Sequence, residues 1–451
     1  MKNNSENTTS TDLFFKMEKD YDLFSLRTNE GFPIWDIIRY RVYQELHKSD
    51  QRIQANLNNK SLRNLIGLLP KIVYSVIHFF IPFRETVYFL TSRNVDENML
   101  FFDKNADNAI QRFNKSNTTI IESFTPFGPY KYSDFYYVLE SVNQKLNKVF
   151  FKKITLKDGL SDTILNALQD FYPSNTISKK IIEEEFKKFY LSYRLNIRLL
   201  KRKTKHLFLT QNGIQKGVIH AAKELDIKSY EFQHGIIDRT HIAYSYNPKI
   251  EYESNDIIHP DVLLTFSDYW PKLIYHPYIK FISSGNDHFF ARSESAQRNG
   301  LLVVSSMIHD EELRSFVASL VKNNFNQNIY YKLHPNQFHQ FNEIVDSFKQ
   351  NQNVTVIKNE FSVPQLIAKS QAMLTIVSTA AYEALHAGCK VLLLKRLNYV
   401  AHEDIFDMEG VFPVDNIHEF TSAFKSKTVP GNNAIFFKPF DPEAFNKALA
   451  V

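Results

Sequence analysis

Short apolar runs alternate with amphipathic, helix-like stretches from residue 206 onward, and this alternation constrains the fold more than any other feature. The runs "HLFLTQ" (206–211) and "KSYEFQ" (228–233) flank the helical pattern "IQKGVIHAAKELDI" (214–227). Strands that alternate with helices of roughly 10 to 15 residues are typical of parallel sheets, because parallel strands need a crossover connection. The sequence therefore predicts an α/β protein.

The alternation falls into two blocks, separated by the polar stretch "ARSESAQRN" (291–299). Each block predicts a doubly wound, Rossmann-like domain, in which ligands sit beyond the carboxyl ends of the strands. We expect the two domains to face a cleft and to be preceded by a helical extension. The predicted divisions are a helical segment at 1–84, a first domain at 85–290, a second domain at 299–430 and a tail at 431–451, which is a candidate to pack back on the first domain.

Composition limits the classes of partner. A chain of 451 residues with 43% hydrophobic and 23% charged residues is typical of a soluble globular protein of two or three domains. The formal net charge of +5 suits anionic small molecules or an acidic membrane surface, and is too small to indicate nucleic-acid binding. The single cysteine, Cys389, excludes a disulfide framework and a cysteine-based zinc site. The polar start of the sequence lacks the apolar core of a signal peptide, which predicts a cytoplasmic protein.

One apolar segment, residues 64–84, is a candidate for contact with the membrane face. Pro70 and Lys71 interrupt it, whereas a membrane-spanning helix needs about 20 clean apolar residues. An interfacial helix at the inner face of the plasma membrane and a buried helix of the first domain fit the pattern equally well.

Hydroxyl side chains follow the buried strand "LTIV" of the second block. Ser378 and Thr379 begin the next helix, and residues of this type at a helix start usually cap it. The backbone N–H groups at a helix start also suit a phosphate. Glu383 lies four residues further on and could accept hydrogen bonds from ribose hydroxyls; the alternative is an ordinary solvated glutamate.

Three further strand ends carry polar residues. His334 closes the strand in "IYYKLHPNQ", and Pro335 holds the preceding residue extended, so that the imidazole could donate to a phosphate oxygen. The other two are Ser305 and Ser306 in "VVSSM" and Gly285 in "ISSGND", which are equally compatible with ordinary turns.

The stretch "SYEFQHGIIDRTHIAY" (229–244) places His234 at the end of a strand, directly before a glycine. A histidine can take a proton from a hydroxyl at neutral pH, and Asp238 or Glu231 could orient its ring. Arg239 and His241 follow as candidates for binding an anionic acceptor or donor. The alternative for His234 is a structural role in the loop.

The sequence favours chemistry without a metal or a resident cofactor. His234 and His241 lack the helical spacing of a zinc site, and the second block has no Asp-x-Asp to hold a nucleotide-bound divalent ion. "HEDIFD" (402–407) offers carboxylates, although on an apparent helix or loop. Neither a P-loop nor a GxGxxG motif is present.

Taken together, the strand followed by "QHG", the "KLHP" of the second block and "STAAYEALHAG" resemble the GT-B glycosyltransferases of bacterial surface polysaccharides. The nearest groups are the capsule-type sialyl- and Kdo-transferases and the teichoic-acid polyol-phosphate transferases. The resemblance covers roughly residues 205–400.

The resemblance implies a role for each motif. His334 and Pro335 would contact the phosphate of a cytidine nucleotide donor, Ser378 and Thr379 would bind the same phosphate, and Glu383 the ribose. His234 would act as the base on the acceptor hydroxyl, as in the teichoic-acid enzymes. Sialyltransferases use an acidic D/E-D/E-G motif instead; its closest match here, "NEG" (29–31), precedes the predicted sheet.

These observations predict a metal-independent, inverting glycosyltransferase that moves a sugar from a CMP-linked or other nucleotide donor to a capsule or other surface glycan, which could be lipid-linked. Three alternatives stay open: a CDP-polyol phosphotransferase, a GT-B-fold nucleotide-sugar epimerase, and a non-enzymatic membrane-docked assembly subunit.

Overall fold

The protein divides into two compact units. Unit 1 holds Met1–Thr265, Ile274–Ser284 and Asp441–Val451, and unit 2 holds Phe266–Leu273 and Gly285–Phe440. The structure, a computed structural model, describes residues 10–47, 83–91, 94–96, 98–113, 115–122, 130–132, 135–136, 156, 159–201, 203–291, 298–306, 309–396, 399–428, 430–431 and 435–450. Most of the apolar segment 64–84 lies outside these residues, so its predicted membrane contact stays a prediction.

Unit 1 contains a seven-stranded sheet in which every pair of neighbouring strands is parallel. Its strands are β1 (Thr86–Leu90), β4 (Thr118–Glu122), β5 (Phe135–Tyr136), β6 (His206–Leu209), β7 (Lys228–Phe232), β8 (Val262–Thr265) and β9 (Lys280–Ser283). The spatial order is β5-β4-β1-β6-β7-β8-β9, so the winding direction reverses between β1 and β6. A small antiparallel pair, β2 (Asn94–Val95) and β3 (Phe101–Phe102), lies outside this sheet.

The helices of unit 1 come from its long N-terminal stretch and, in one case, from the C-terminal tail. They are α1 (Ser10–Asp20), α2 (Ile34–Leu46), α3 (Asp107–Ile110), α4 (Leu160–Phe171), α5 (Lys179–Leu200), α6 (Lys216–Glu224) and, from the C-terminal tail, α13 (Pro442–Leu449). Phe445 of α13 packs against Phe113 and Phe208 of unit 1. The tail from residue 441 thus belongs to the first unit, the placement for which the sequence made it a candidate.

The N-terminal helices are part of the unit 1 core rather than a separate extension. Phe14 and Trp35 are fully buried in the same apolar cluster as Val87 and Leu207 of the sheet. This differs from the predicted separate segment at 1–84. The apolar period of a helix shows that one face is buried, but not which surface covers it.

Two buried ionic groups hold α2 in place. Arg39 pairs with Glu18 of α1 and also donates to the carbonyls of Ile242 and Ser245, both in the loop after β7. Asp36 accepts hydrogen bonds from Lys216 Nζ (2.9 Å), the Tyr246 hydroxyl (2.8 Å) and the backbone N–H of Ile258 (2.8 Å). Buried charges are tolerated only when such partners replace water.

Unit 2 has six parallel strands in the order β12-β11-β10-β13-β14-β15. The strands are β10 (Leu301–Val304), β11 (Ile329–Lys332), β12 (Val354–Ile357), β13 (Ala372–Thr375), β14 (Lys390–Leu394) and β15 (Val411–Val414). The helices are α7 (Asp287–Phe290), α8 (Asp310–Lys322), α9 (Phe341–Ser347), α10 (Val363–Lys369), α11 (Ala380–His386) and α12 (Ile417–Lys425).

The predicted α/β class with two doubly wound parallel sheets is confirmed. The division of the chain differs from the predicted one at Phe266–Leu273, which follows β8 of unit 1 but packs in unit 2. Trp270 from this segment is fully buried, and its indole N–H donates to the carbonyl of Phe436 in unit 2 (2.8 Å). A short segment between two strands has no composition signal that would reveal this placement.

Among the helices that the structure describes, none combines the length and the apolar character needed to cross a membrane.

Replacing Arg39 should destabilise unit 1. Arg39→Met leaves Glu18 buried without its cation and should lower the free energy of unfolding by about 3–5 kcal/mol. Arg41→Met is the matched control, because Arg41 is 38% exposed and pairs with Glu45 on the same helix; it should cost less than about 1 kcal/mol.

The two tryptophans of the chain make this measurement specific, since Trp35 lies in unit 1 and Trp270 in unit 2. In a Trp270→Phe background, fluorescence in a urea titration reports on unit 1 through Trp35. Equal losses of stability for Arg39→Met and Arg41→Met would contradict the role assigned to Arg39.

Candidate functional site

The winding of the unit 2 sheet reverses between β10 and β13, and such a point is where open α/β sheets bind ligands. Ser305 and Ser306 follow β10, and Ser378 and Thr379 follow β13. The Thr375 hydroxyl donates to the carbonyl of Val304 (3.1 Å) and ties the two strand ends together. Topology thus brings together two of the predicted strand-end motifs.

Ser305 connects the loops that follow β10 and β11. Its buried hydroxyl lies 2.6 Å from Asp310 Oδ1 and 2.9 Å from Gln337 Oε1. The same oxygen of Gln337 accepts the backbone N–H of His334 (3.2 Å). Ser305 therefore supports the His334 loop, and its hydroxyl is engaged within unit 2 rather than presented to a ligand.

His334 and Ser306 are more accessible than Ser305. His334 is half-buried directly after β11, and Pro335 is exposed at the start of a 3-10 helix, Pro335–Gln340. Ser306 is also half-buried, and its hydroxyl oxygen accepts the backbone N–H of His309 (3.3 Å). Both side chains lie at the carboxyl edge of the sheet, where the sequence predicts a phosphate site.

His402 holds the loop that contains Ser378. The backbone N–H of Ser378 donates to Nε2 of His402 (3.1 Å), so the ring proton is assigned to Nδ1. Burial lowers the pKa of His402 to about 4, and the ring is therefore neutral at physiological pH. A protonated ring would carry a hydrogen on Nε2 and could no longer accept this bond.

Asp404 packs close to His402. Its carboxylate accepts hydrogen bonds from Tyr382 of α11 (2.8 Å and 3.0 Å) and from Tyr269. The sequence offers the carboxylates of "HEDIFD" as candidate metal ligands, whereas in the structure Asp404 bonds to two tyrosines. Within the described parts of the chain, no group of three or more His, Cys, Asp or Glu side chains is arranged to hold a metal ion.

Glu383 lies on the wall of a small pocket of unit 2. The lining includes Pro364 and Ile367 of α10, which are apolar, and the rings of His386 and Phe289. Because Ile367 and Phe289 are largely buried, the pocket offers an apolar surface beside a half-buried carboxylate. The pocket has room for about one water molecule, so it does not by itself enclose a nucleoside.

Gly285 has a conformational role. Its φ of +68° lies in the left-handed region, and a Cβ at this position would overlap the backbone oxygens of Lys438 and Pro439. The N–H of the next residue, Asn286, donates to the Lys438 carbonyl (3.0 Å). Close passage of two chain segments accounts for the glycine, without a ligand.

In unit 1, His234 lies just beyond the carboxyl end of β7. Gln233 fixes the chain on either side of it, with its N–H bonded to the Leu264 carbonyl (2.9 Å) and its side-chain amide to the Gly235 carbonyl (2.8 Å). The His234 side chain is 22% exposed. Its Nδ1 lies 3.2 Å from the hydroxyl of Tyr244.

A buried carboxyl group, that of Glu231, lies behind His234. Tyr244 donates its hydroxyl proton to Oε1 of Glu231, and the backbone N–H of Asn212 donates to the same oxygen (2.9 Å). Burial raises the pKa of Glu231 to about 7. The other oxygen, Oε2, is buried without a hydrogen-bond partner among the described residues.

The remaining candidates of this loop have structural contacts. Asp238 accepts the backbone N–H groups of Thr240 (2.9 Å) and His241 (3.0 Å) and closes a turn, whereas Glu231 is the carboxylate that bonds to the Tyr244 beside His234. Exposed Arg239 pairs with Asp12 of α1.

His241 lacks the charge that an anion-binding residue would need. Its ring stacks on Tyr40 of α2, with centroids 6.0 Å apart and planes at 5°. Burial lowers the pKa of His241 to about 4, so it carries no positive charge at neutral pH. The predicted anion-binding role therefore has no electrostatic basis in this side chain.

Sequence reasoning missed Tyr244 and His402. Tyr244 is one of several aromatic residues and histidines in the stretch 229–244, and its spacing does not single it out. His402 lies 24 residues from Ser378, whose loop it supports. A local signal existed only for Tyr244, which lies in the same loop as His234, ten residues further along the chain.

Removing the His402 ring should loosen the Ser378 loop. In His402→Ala, the amide of Ser378 loses its acceptor, and we expect its hydrogen exchange to speed up about tenfold, equivalent to a bond of about 1.4 kcal/mol. His418→Ala, at an exposed position of α12, is the control and should leave this exchange unchanged. Peptide-level hydrogen–deuterium exchange decides; unchanged protection in His402→Ala would refute the role.

Comparison with known proteins gives a family match in unit 2. Residues 306–429 match the family model described as "Capsule polysaccharide biosynthesis protein". The match includes His334, Pro335, Ser378, Thr379 and Glu383. No curated protein sequence matches the chain significantly.

Several solved structures are similar to this chain at low identity. The UDP-GlcNAc 2-epimerase of Methanocaldococcus jannaschii in complex with UDP-GlcNAc and UDP matches with a TM-score of 0.46 and 13% identity, covering 81% of this chain and 99% of that one. MurG from Acinetobacter baumannii matches with a TM-score of 0.45 and 9% identity over 81% and 98%. Anabaena HepE in complex with UDP and glucose matches with a TM-score of 0.41 and 8% identity over 81% and 93%.

The finding that bears on the predicted resemblance is the family match. The expected resemblance to proteins of bacterial surface polysaccharide synthesis is confirmed over residues 306–429, the part of unit 2 that carries the strand-end histidine and hydroxyl motifs.

Proposed function

We propose that this protein is a glycosyltransferase that moves a sugar from a nucleotide donor, CMP-linked by preference, to a capsule or other surface glycan. The observation that carries the proposal is that the capsule-family match coincides with the polar strand ends at the reversal point of the unit 2 sheet. Unit 2 would bind the donor, and unit 1 would supply the base that acts on the acceptor.

The donor site would use the groups around β10, β11 and β13. His334 would donate a hydrogen bond to a phosphate oxygen, and the Ser378–Thr379 loop would offer hydroxyl and backbone donors to the same phosphate. Glu383 would accept hydrogen bonds from the ribose hydroxyls. The absence of an Asp-x-Asp sequence in unit 2 favours such donors over a bound metal ion for stabilising the leaving phosphate.

His234 would act as the general base. It would remove the proton of the acceptor hydroxyl as that oxygen forms a bond to the anomeric carbon of the donor sugar. The bond from this carbon to the phosphate oxygen breaks, and its electron pair leaves with the nucleotide. Attack opposite the leaving group inverts the anomeric configuration.

The acceptor and the place of reaction follow from this proposal. A surface glycan built on a lipid carrier would bring the protein to the cytoplasmic face of the membrane, where the basic charge of the chain would favour acidic lipids. Arg239 is exposed and could exchange Asp12 for an anionic group of the acceptor.

Nucleotide binding is the first expected outcome. CMP or CDP at about 100 times its Kd should stabilise the protein by about 2.7 kcal/mol, which raises the melting temperature in a thermal-shift screen that also includes UDP and GDP. Glu383→Gln should weaken the stabilisation, whereas Glu409→Gln, exposed in unit 2 and not part of the pocket wall, should not. If no nucleotide raises the melting temperature, the donor site is wrong.

Transfer should depend on His234. We expect His234→Asn to reduce transfer to a glycan acceptor by about 100-fold or more, the usual loss for a general base, while nucleotide binding is retained. His418→Ala should keep both properties. Mass spectrometry of the product identifies the group moved: an added sugar supports the proposal, an added phosphoryl-alditol supports the polyol-phosphate alternative, and turnover without acceptor supports an epimerase.

A further inference from the structure

The hydroxyl of Tyr244 stands between a buried carboxyl group and a partly exposed imidazole. It donates to Oε1 of Glu231 and lies 3.2 Å from Nδ1 of His234. A hydroxyl has a single proton, so a tyrosine that gives it to Glu231 can only accept on the side of His234. The ring proton of neutral His234 is therefore assigned to Nδ1, which leaves the lone pair on Nε2.

We propose that Glu231 and Tyr244 are positioning residues for His234, which fix its tautomer and stabilise the positive charge it gains when Nε2 takes a proton. The inference rests on the proposed role of His234 as the base and deepens it. Neither residue touches the substrate; both act through the imidazole.

The electrostatic part of this proposal follows from the distances. Oε1 of Glu231 lies 4.0 Å from Nδ1 of His234, within the range in which an opposite charge strongly favours the ionised form of its neighbour. Because Glu231 is fully buried, little water screens the interaction. Protonation of His234 would convert a buried, unpaired carboxylate into one member of an ion pair.

Three other titratable groups, Lys216, Tyr40 and His241, belong to this environment. Lys216 of α6 acts on Glu231, and Tyr40 of α2 acts on Tyr244. His241 lies 6.3 Å from His234, ring to ring, and is neutral because burial lowers its pKa. Burial keeps Tyr244 and Tyr40 protonated by raising their pKa values. None of these neighbours is negatively charged near neutral pH, whereas Glu231 can be.

Glu231 can change its charge in the working range. Its pKa is raised to about 7 by burial, so the carboxylate predominates above that pH and the neutral acid below it. A proton on Oε2 would leave both bonds to Oε1 intact, since Oε2 has no hydrogen-bond partner within the described residues. Glu231 and His234 should therefore titrate as a coupled pair. Proton uptake by Glu231 removes the negative charge that favours the imidazolium, so protonation of one residue makes protonation of the other less favourable.

The test measures the protonation of His234 in the full chain without any substrate. Diethyl pyrocarbonate acylates neutral imidazole, and mass spectrometry follows the modified His234 peptide across the range in which histidine titrates, about pH 5 to 8. Glu231→Gln removes the negative charge and keeps an acceptor for Tyr244. We expect the midpoint of the profile to fall by about 1 pH unit, because the imidazolium loses its anion.

Two further variants keep the result interpretable. Tyr244→Phe removes the bridge and should shift the midpoint in the same direction, which gives a second test if Glu231→Gln does not fold. Tyr40→Phe is the matched control, because it keeps the ring that stacks on His241 and removes only a hydroxyl that hydrogen-bonds to Gln44, so the midpoint should stay in place. Superimposable profiles for the wild type, Glu231→Gln and Tyr244→Phe would overturn the proposal.

The readout separates this inference from the proposed function. A shifted midpoint in a protein that transfers no sugar would reject the function and retain the coupling of the three residues. Transfer that depends on His234, together with an unshifted midpoint, would retain the function and reject the positioning roles. Where both hold, Glu231→Gln should lower kcat by up to about tenfold with little change in KM, because a shift of one pKa unit in the base corresponds to a factor of ten.

Discussion

The buried guanidinium of Arg39 is the interaction on which the histidine loop of unit 1 depends. It satisfies the Glu18 carboxylate and two backbone carbonyls of the loop after β7, and the Tyr246 ring lies over it with the guanidinium carbon 4.4 Å from the centroid. A loop normally exposes its carbonyls to water; here a charged side chain replaces the water. The segment that carries His234 is thereby held by α1 and α2, and not by the sheet alone.

In this arrangement buried residues support the His234 loop on one side, while the His234 ring is partly exposed on the other. Asp36 and Lys216 add a second buried pair beside Tyr246, so both Arg39 and Asp36 reach the same loop from one helix. Tyr244 is buried within this framework, whereas His234 keeps part of its ring exposed. The proposed role of His234 as a base requires such support, because the reactivity of a proton-transfer group depends on the orientation of its ring.

Local patterns in the sequence predicted the features of the fold that depend on residues close together in the chain, such as strands, helices and strand ends. The alternation of strands and helices gave both parallel sheets, and it placed Ser378 and His234 correctly at strand ends. Contacts between distant segments leave no such pattern. Nothing in the helical period of α2 distinguishes buried Arg39 from partly exposed Arg41, and nothing near Ser378 announces His402.

Contacts of the same kind involve two of the predicted site residues. The Ser305 hydroxyl lies within hydrogen-bond distance of Asp310 and Gln337, and the close passage of another segment accounts for Gly285. Burial and hydrogen-bond partners of this kind are not contained in a strand-end rule. The rule locates an edge of the sheet; only packing decides which side chains at that edge remain available.

The return of α13 to unit 1 has a consequence for how the chain is made. Unit 1 includes the first helices and the last one, so a ribosome releases its final element only after all of unit 2 has been synthesised. Unit 2 spans a nearly continuous stretch from Gly285 to Phe440, although it also recruits the short Trp270 segment. During translation, the face of the unit 1 sheet that carries Phe208 lacks its contact with Phe445 until that residue has been synthesised. The nascent first unit therefore exposes an apolar surface, to which chaperones or other chains could bind before α13 is synthesised.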